Sequence, residues 1–279
     1  MKQDQCPSPN QTFESLKGRT AREVRHAIRS QSYSGQTAGL AAGKLQSNLV
    51  ILPEEFALDF FRFCQRNPKP CPITGISDTG NPMMFTMGDD IDIRSDVPQY
   101  NIYREGQLAD SVLDISSLWQ PDWVAFALGC SFTFEHAVMA AGVQLKHVEE
   151  NLTVPMYRTN LQTAPAGRFS GEVVVSMRSI PQNQLDLVVA ISHRFPLAHG
   201  SPVHIGDPQS IGINDLGKPD WGDAIAVDKG SIPVFWACGV TPQVAILRSE
   251  IPIAITHKPG RMLISDVDEH ADNPNLTTH

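Results

Sequence analysis

Positive charge is scarce in this chain. Its 22 Lys and Arg stand against 30 Asp and Glu, a formal charge of −8, and no basic run relieves the deficit. Nucleic-acid affinity rests mainly on neutralising phosphates, and an anionic membrane surface makes the same demand, so neither partner is expected. Long apolar runs are missing as well. The longest, WVAFALG (123–129) and IPVFWACGV (232–240), fall far short of the ~18 residues that suggest a membrane span. The residues after Met1 (KQDQCPSPNQ) offer no apolar stretch for a signal sequence, and the expectation is a soluble, cytoplasmic protein. The five cysteines (Cys6, Cys64, Cys71, Cys130 and Cys238) are odd in number, widely spaced and without a CxxC pair. That argues against a disulfide framework or a zinc ribbon and for reduced thiols. There is no GxGxxG, P-loop or GxSxG, so nucleotide cofactors and hydrolase elbows receive no support.

What is present suits a globular protein. Hydrophobic residues make up 41%, and 20 glycines with 21 prolines imply many tight turns. Thr20 and Glu23 have capping-box spacing ahead of Val24, Ala27 and Ile28, which predicts a first helix. Glu54 and Glu55 after Pro53 open a second, with Ala57, Phe60, Phe61 and Cys64 as its apolar stripe. WVAFALG reads as a strand buried on both faces, as parallel strands are, and IPVFWAC as another. Alternating strands and helices predict an α/β fold, a largely parallel sheet flanked by helices, with a second smaller α+β unit. The expected main unit is 1–129 with 206–267, the smaller unit 130–205, and the loose tails 1–12 and 268–279.

Two segments share a local design. LGCSFTFEH puts Cys130 and Ser131 between a buried strand and a helix, and WACGVTPQ does the same with Cys238, Gly239 and Thr241. Helix N-termini at strand ends offer free N–H groups and a positive dipole, and a thiol there tends to have a lowered pKa. A third constellation, HRFPLAHGSPVHIGDP, holds Arg194, His199, His204 and Asp207 in a loop shaped by Gly and Pro; its spacing matches no helical metal-ligand pair. No metal site is therefore expected. Arg158 and Asn160 in VPMYRTN, Arg168 in PAGRFSG and Arg194 complete the candidates, since a planar guanidinium can hold a carboxylate by two parallel hydrogen bonds.

Taken in order, NPKPCP (67–72), GCSFTFE (129–135), VPMYRTN (154–160), VHIGDP (203–208), VFWACGVTPQ (234–243) and ITHKPG (255–260) resemble the D-glutamate cyclase family, whose bacterial members are labelled hydro-lyases. The likeness runs from about residue 13 to 267. Thr153 stands where the family commonly has Asn and Arg261 where it commonly has His, departures that bear on substrate preference rather than on fold. The resemblance implies an α/β protein with a second α+β unit that converts D-glutamate to 5-oxo-D-proline and water. Such a cyclisation needs a base for the ammonium, an acid for the leaving oxygen and donors for a tetrahedral oxyanion, and requires no cofactor. Cys130, His204, Asp207 and Cys238 are the expected catalytic groups. Ser131, Arg158, Asn160, Arg194, His199, Gly239 and Thr241 are the expected binding groups for a small amino-acid or carboxylate substrate. Two other readings stay open: a cofactor-independent racemase using Cys130 and Cys238, and a non-catalytic carboxylate-binding protein. Homo-oligomerisation is left open too.

Overall fold

The computed structural model describes residues 10–150 and 152–269. Cys6 and most of the two expected tails lie outside them. Among the described residues the chain forms α1 (Phe13–Leu16), α2 (Ala21–Arg29), β1 (Lys44–Pro53), α3 (Glu54–Arg66), β2 (Ile73–Ile76), β3 (Tyr100–Arg104), β4 (Gln107–Val112) and β5 (Trp123–Gly129). There follow α4 (Phe132–Ala140), α5 (Lys146–Glu149), β6 (Met156–Gln162), β7 (Glu172–Pro181), α6 (Leu185–His193), β8 (His204–Ile205), β9 (Ser231–Ala237), α7 (Thr241–Ser249), β10 (Ala254–His257) and β11 (Leu263–Asp268).

Thr20 and Glu23 cap α2 reciprocally, as their spacing predicts, and α3 begins at Glu54 directly after Pro53. On α3, however, Phe63 is buried with Phe60 and Cys64, while Phe61 keeps 37% of its surface exposed. The stripe is turned slightly from the one expected, because the helix must seat Phe60 and Phe63 against Phe126 and Phe169.

The strands build two sheets. The first runs β2-β5-β1-β10-β3-β4, with β11 also pairing β1; the second runs β6-β7-β9-β8. Every pairing in both is antiparallel, which overturns the expected parallel sheet. The two apolar runs are indeed buried strands, each feeding a helix, but β5 and β9 lie in different sheets. The reason is physical. β5 is apolar throughout because both faces of its sheet are covered. Ala125 and Ala127 join one core with Leu49, Ile91 and Tyr100, whereas Val124, Phe126 and Leu128 join another with α3 and α7. Continuous hydrophobicity reports two-sided burial, not strand direction.

The two helices that follow β5 and β9 exchange partners. From the end of β5 in the first sheet, α4 carries Phe134 and Val138 onto Ile180, Val234 and Trp236 of the second. Conversely α7, leaving β9 in the second sheet, carries Ala245 and Ile246 onto Val50 and Phe126 of the first. The strand-to-helix turns at Cys130 and Cys238 sit where this exchange takes place.

Candidate active site

Both turns are built alike. Thr133 N–H donates to the Cys130 carbonyl at 3.2 Å, and Thr241 N–H donates to the Cys238 carbonyl at 3.0 Å. In each, the N–H two residues on reaches back to the thiol: Phe132 to Cys130 and Val240 to Cys238. The parallel extends into the sequence, where CSFTFE and CGVTPQ both place Thr three and a Glu or Gln five residues after the Cys. Cys130 and Cys238 contribute to one apolar cluster with Val154, Met156, Val174 and Val240. Asn48 of β1 stands between the turns. Its amide donates to the Gly129 carbonyl at 2.8 Å, and a Cβ on Gly239 would come within 2.1 Å of its Nδ2, so only glycine permits that approach.

Burial pushes the Cys130 thiol up to about 12 and the Cys238 thiol up to about 11, more than the helix N–H groups lower them. Both are therefore thiols at neutral pH, the opposite of the lowered pKa expected from their position.

Next to Cys130 lies a buried charged cluster that was not anticipated. On β7 the alternation of side chains puts Val174, Ser176, Arg178 and Ile180 on one face, with Val175 and Met177 on the other. Arg178 is 1% exposed. Its Nε donates to Glu135 Oε1 at 2.9 Å, Nη1 to Ser176 Oγ at 2.7 Å and Nη2 to Ser131 Oγ at 2.9 Å, and Nη2 also bonds Glu135. The guanidinium lies 5.2 Å from the ring centres of both Phe134 and Trp236. His147 Nε2 is 3.2 Å from Glu135 Oε1. Burial alone raises the Glu135 carboxyl, but the charges of Arg178 and His147 outweigh it and hold the group down at about 2. The signal for this cluster was a serine and an arginine on the face of β7 that Val174 and Ile180 otherwise make apolar. Thr133 Oγ1, Trp236 Nε1 and Gln243 Nε2 are buried nearby in the two helices and β9 without a hydrogen-bond partner.

The loop after α6 reaches the same place. Its 3-10 turn, Pro196–Ala198, packs Ala198 against Phe134 and Trp236, and the Leu197 carbonyl lies against Gly129. His199 follows, 1% exposed and left-handed at φ +76°. Its Nδ1 donates to the Lys69 carbonyl at 2.7 Å. Burial lowers the ring to about 4, and the charges of Arg178 and Lys69 act in the same direction.

The structure thus gathers Cys130, Ser131, Cys238 and Gly239, and the loop that carries His199 reaches Gly129 next to them. Thr241 is close by but committed, its Oγ1 accepting the Val174 N–H at 3.0 Å to tie α7 to β7. Arg158 lies at the margin, opposite Val174 in register, half-exposed, with its guanidinium 5.0 Å from the Trp221 ring centre. Asn160 is exposed further along β6, against Gly212. His204 and Asp207 are on the other side of the second sheet. The His204 ring packs at a tilt against Phe235, 5.7 Å between ring centres, and Phe235 faces away from Trp236 and Arg178. The His204 Nε2 is 2.7 Å from the Asp207 carbonyl. Arg194, at the end of α6, lines a separate cavity of about 570 Å³ with His136 and Glu269. Among the described residues no group of three or more His, Cys, Asp and Glu side chains gathers as metal ligands do, and no helix is long and apolar enough to cross a membrane.

Comparison with known proteins agrees on the lineage. The family model for D-glutamate cyclase matches residues 124–266, from β5 to β11. The chain is 62% identical to a protein of Dinoroseobacter shibae named "Putative hydro-lyase", over 95% of this chain and 88% of that one. This chain belongs to the D-glutamate cyclase family. A hydro-lyase relative from Ruegeria pomeroyi is 59% identical over 95% of this chain and 97% of its own, and one from Bacillus licheniformis 53% identical over 88% and 94%. Membership in the D-glutamate cyclase family makes the chain an enzyme with a lyase role. The matched span of this cyclase-family chain contains both cysteine turns, Glu135, Arg178 and His199.

Proposed function

We propose that this enzyme closes D-glutamate, or a closely related amino acid, to 5-oxo-D-proline with loss of one water, at the Cys130 and Cys238 turns. Membership in a family described as D-glutamate cyclase, with relatives named as hydro-lyases, carries the reading. The geometry supports the location. Two helix N-termini meet there. The N–H groups of Phe132, Thr133, Val240 and Thr241 are taken up within the turns, but the positive ends of both helix dipoles suit a carboxylate and the oxyanion it becomes. Arg158 is the clamp for the α-carboxylate in this reading: its guanidinium packs face-on against Trp221, and its Nε faces Asp220 Oδ1 at 3.7 Å, a partner that the arriving carboxylate displaces. Holding glutamate curled with its amine against its side-chain carboxyl supplies several kcal/mol of the barrier by proximity.

The protonated state of the thiols speaks against the two-cysteine racemase. That chemistry needs one thiolate to remove the α-proton, and burial raises both thiols, which disfavours it. Mass spectrometry of D- and L-glutamate incubations in deuterated water separates the readings. Cyclisation gives a product lighter by one water from D-glutamate with the original hydrogen at Cα. Deuterium at Cα without water loss would establish racemisation, and saturable binding without any turnover would establish a carrier.

A further inference from the structure

We propose that His199 is the general base of this cyclisation and that Lys69 is the residue that positions it, an assignment that rests on the cyclase reading above. Four observations converge on the ring. It is fully buried, and its loop reaches the cysteine turn, where the Leu197 carbonyl two residues earlier lies against Gly129, the residue before Cys130. The Nδ1 hydrogen is committed to the Lys69 carbonyl, which fixes the tautomer and leaves Nε2 as a bare lone pair. No hydrogen bond occupies Nε2 among the described residues. Finally, the backbone is held at φ +76°, a conformation uncommon outside glycine that persists only where the surroundings enforce it.

Lys69 does the enforcing from both ends. Its carbonyl takes the ring hydrogen, while its ammonium donates to the carbonyls of Ser201 at 2.6 Å and Pro202 at 3.4 Å. The NPKPCP segment and the histidine loop are thereby locked together. The Pro72 carbonyl extends the lock to β5 by accepting the Gly129 N–H at 2.8 Å.

The proton accounting closes. Nε2 takes one proton from the ammonium, and the freed lone pair forms the N–C bond to the side-chain carboxyl carbon. Of the three ammonium protons, one stays on the lactam nitrogen and two leave with a carboxyl oxygen as water, His199 carrying at least one of them. Bound alone, the ring is a weak base for burial reasons; the two carboxylates of an arriving glutamate favour its protonated form and strengthen it.

The test is kinetic. His199→Asn keeps a donor for the Lys69 carbonyl and tolerates the left-handed backbone, but has no basic nitrogen. It is expected to unfold at the wild-type temperature, with kcat lower by ~10²–10⁴-fold and KM little changed. Lys69→Met is expected to move the acid limb of the pH–kcat profile upward, because a cation opposing ring protonation is gone, while Lys69→Arg leaves the limb in place. Wild-type enzyme that takes no water from D-glutamate removes both this assignment and the cyclase reading. An active wild type with His199→Asn within ~10-fold of it, or with the loss carried by His204→Asn instead, overturns this assignment alone.

Discussion

Arg178→Met is expected to lower the free energy of unfolding by about 3–5 kcal/mol, the usual cost of leaving one member of a buried ion pair without the other. At roughly 2–4 °C per kcal/mol for a chain of this size, the midpoint of thermal unfolding falls by on the order of 10 °C. The effect is large because the guanidinium serves three partners at once, Glu135, Ser131 and Ser176, in a slot between Phe134 and Trp236. Methionine refills part of the slot and satisfies none of them. Pairing it with Glu135→Gln removes the orphaned charge, so the double variant should recover much of the loss, and a double-mutant cycle reads the coupling directly. The pH dependence has a definite sign. The Glu135 carboxyl, held at about 2 against an ordinary 4.5, stabilises the fold fully above 4.5 and loses that contribution as pH falls toward 2. The difference between wild type and Arg178→Met should therefore narrow in acid. Equal stabilities at neutral pH would show that the cluster is solvated and idle.

Gly129→Ala should be nearly as damaging to turnover as loss of the base. An added Cβ would lie 1.5 Å from the Leu197 carbonyl oxygen, which is backbone and cannot swing aside. Gly129 cannot retreat either, because its N–H is held by Pro72 and its carbonyl by Asn48. The 196–199 segment must move instead, and His199 moves with it. Overpacking of this kind costs about 1–3 kcal/mol, and a misplacement of about 1 Å at a reacting group can cost ~10²-fold in rate. Gly142→Ala is the matched control. Gly142 has φ +83° but open space around its Cβ position, so alanine there should bring only backbone strain of roughly 1–2 kcal/mol and unchanged kinetics. Activity and thermal unfolding of the two variants side by side decide whether close approach at Gly129 matters to the site.

Local features were legible in the residues. The Thr20–Glu23 cap, the start of α3 after Pro53 and the burial of β5 and β9 all follow from short-range chemistry. The similar design of the Cys130 and Cys238 turns was visible as well, and both helices do begin there. Strand direction was not legible, because an apolar run such as WVAFALG reports that both faces are covered without saying which neighbours pair with it. β11 escaped notice beside a polar tail, since only Leu263 and Ile264 are apolar anchors before Ser265 and Asp266. Glu135 and Arg178 were overlooked for a related reason. Each looks like an ordinary charged residue in its own segment, and only the crossing of α4 onto the second sheet brings them together.

The central claim is that the chemistry takes place at the two cysteine turns, and a crystal structure with 5-oxo-D-proline bound tests it most directly. The account predicts the lactam ring at the Cys130 and Cys238 turns, its nitrogen within hydrogen-bond reach of His199 Nε2, about 3 Å, and its carboxylate on Arg158. Product seated instead in the cavity of His136, Arg194 and Glu269, or beside His204 on the far face of the second sheet, would contradict it.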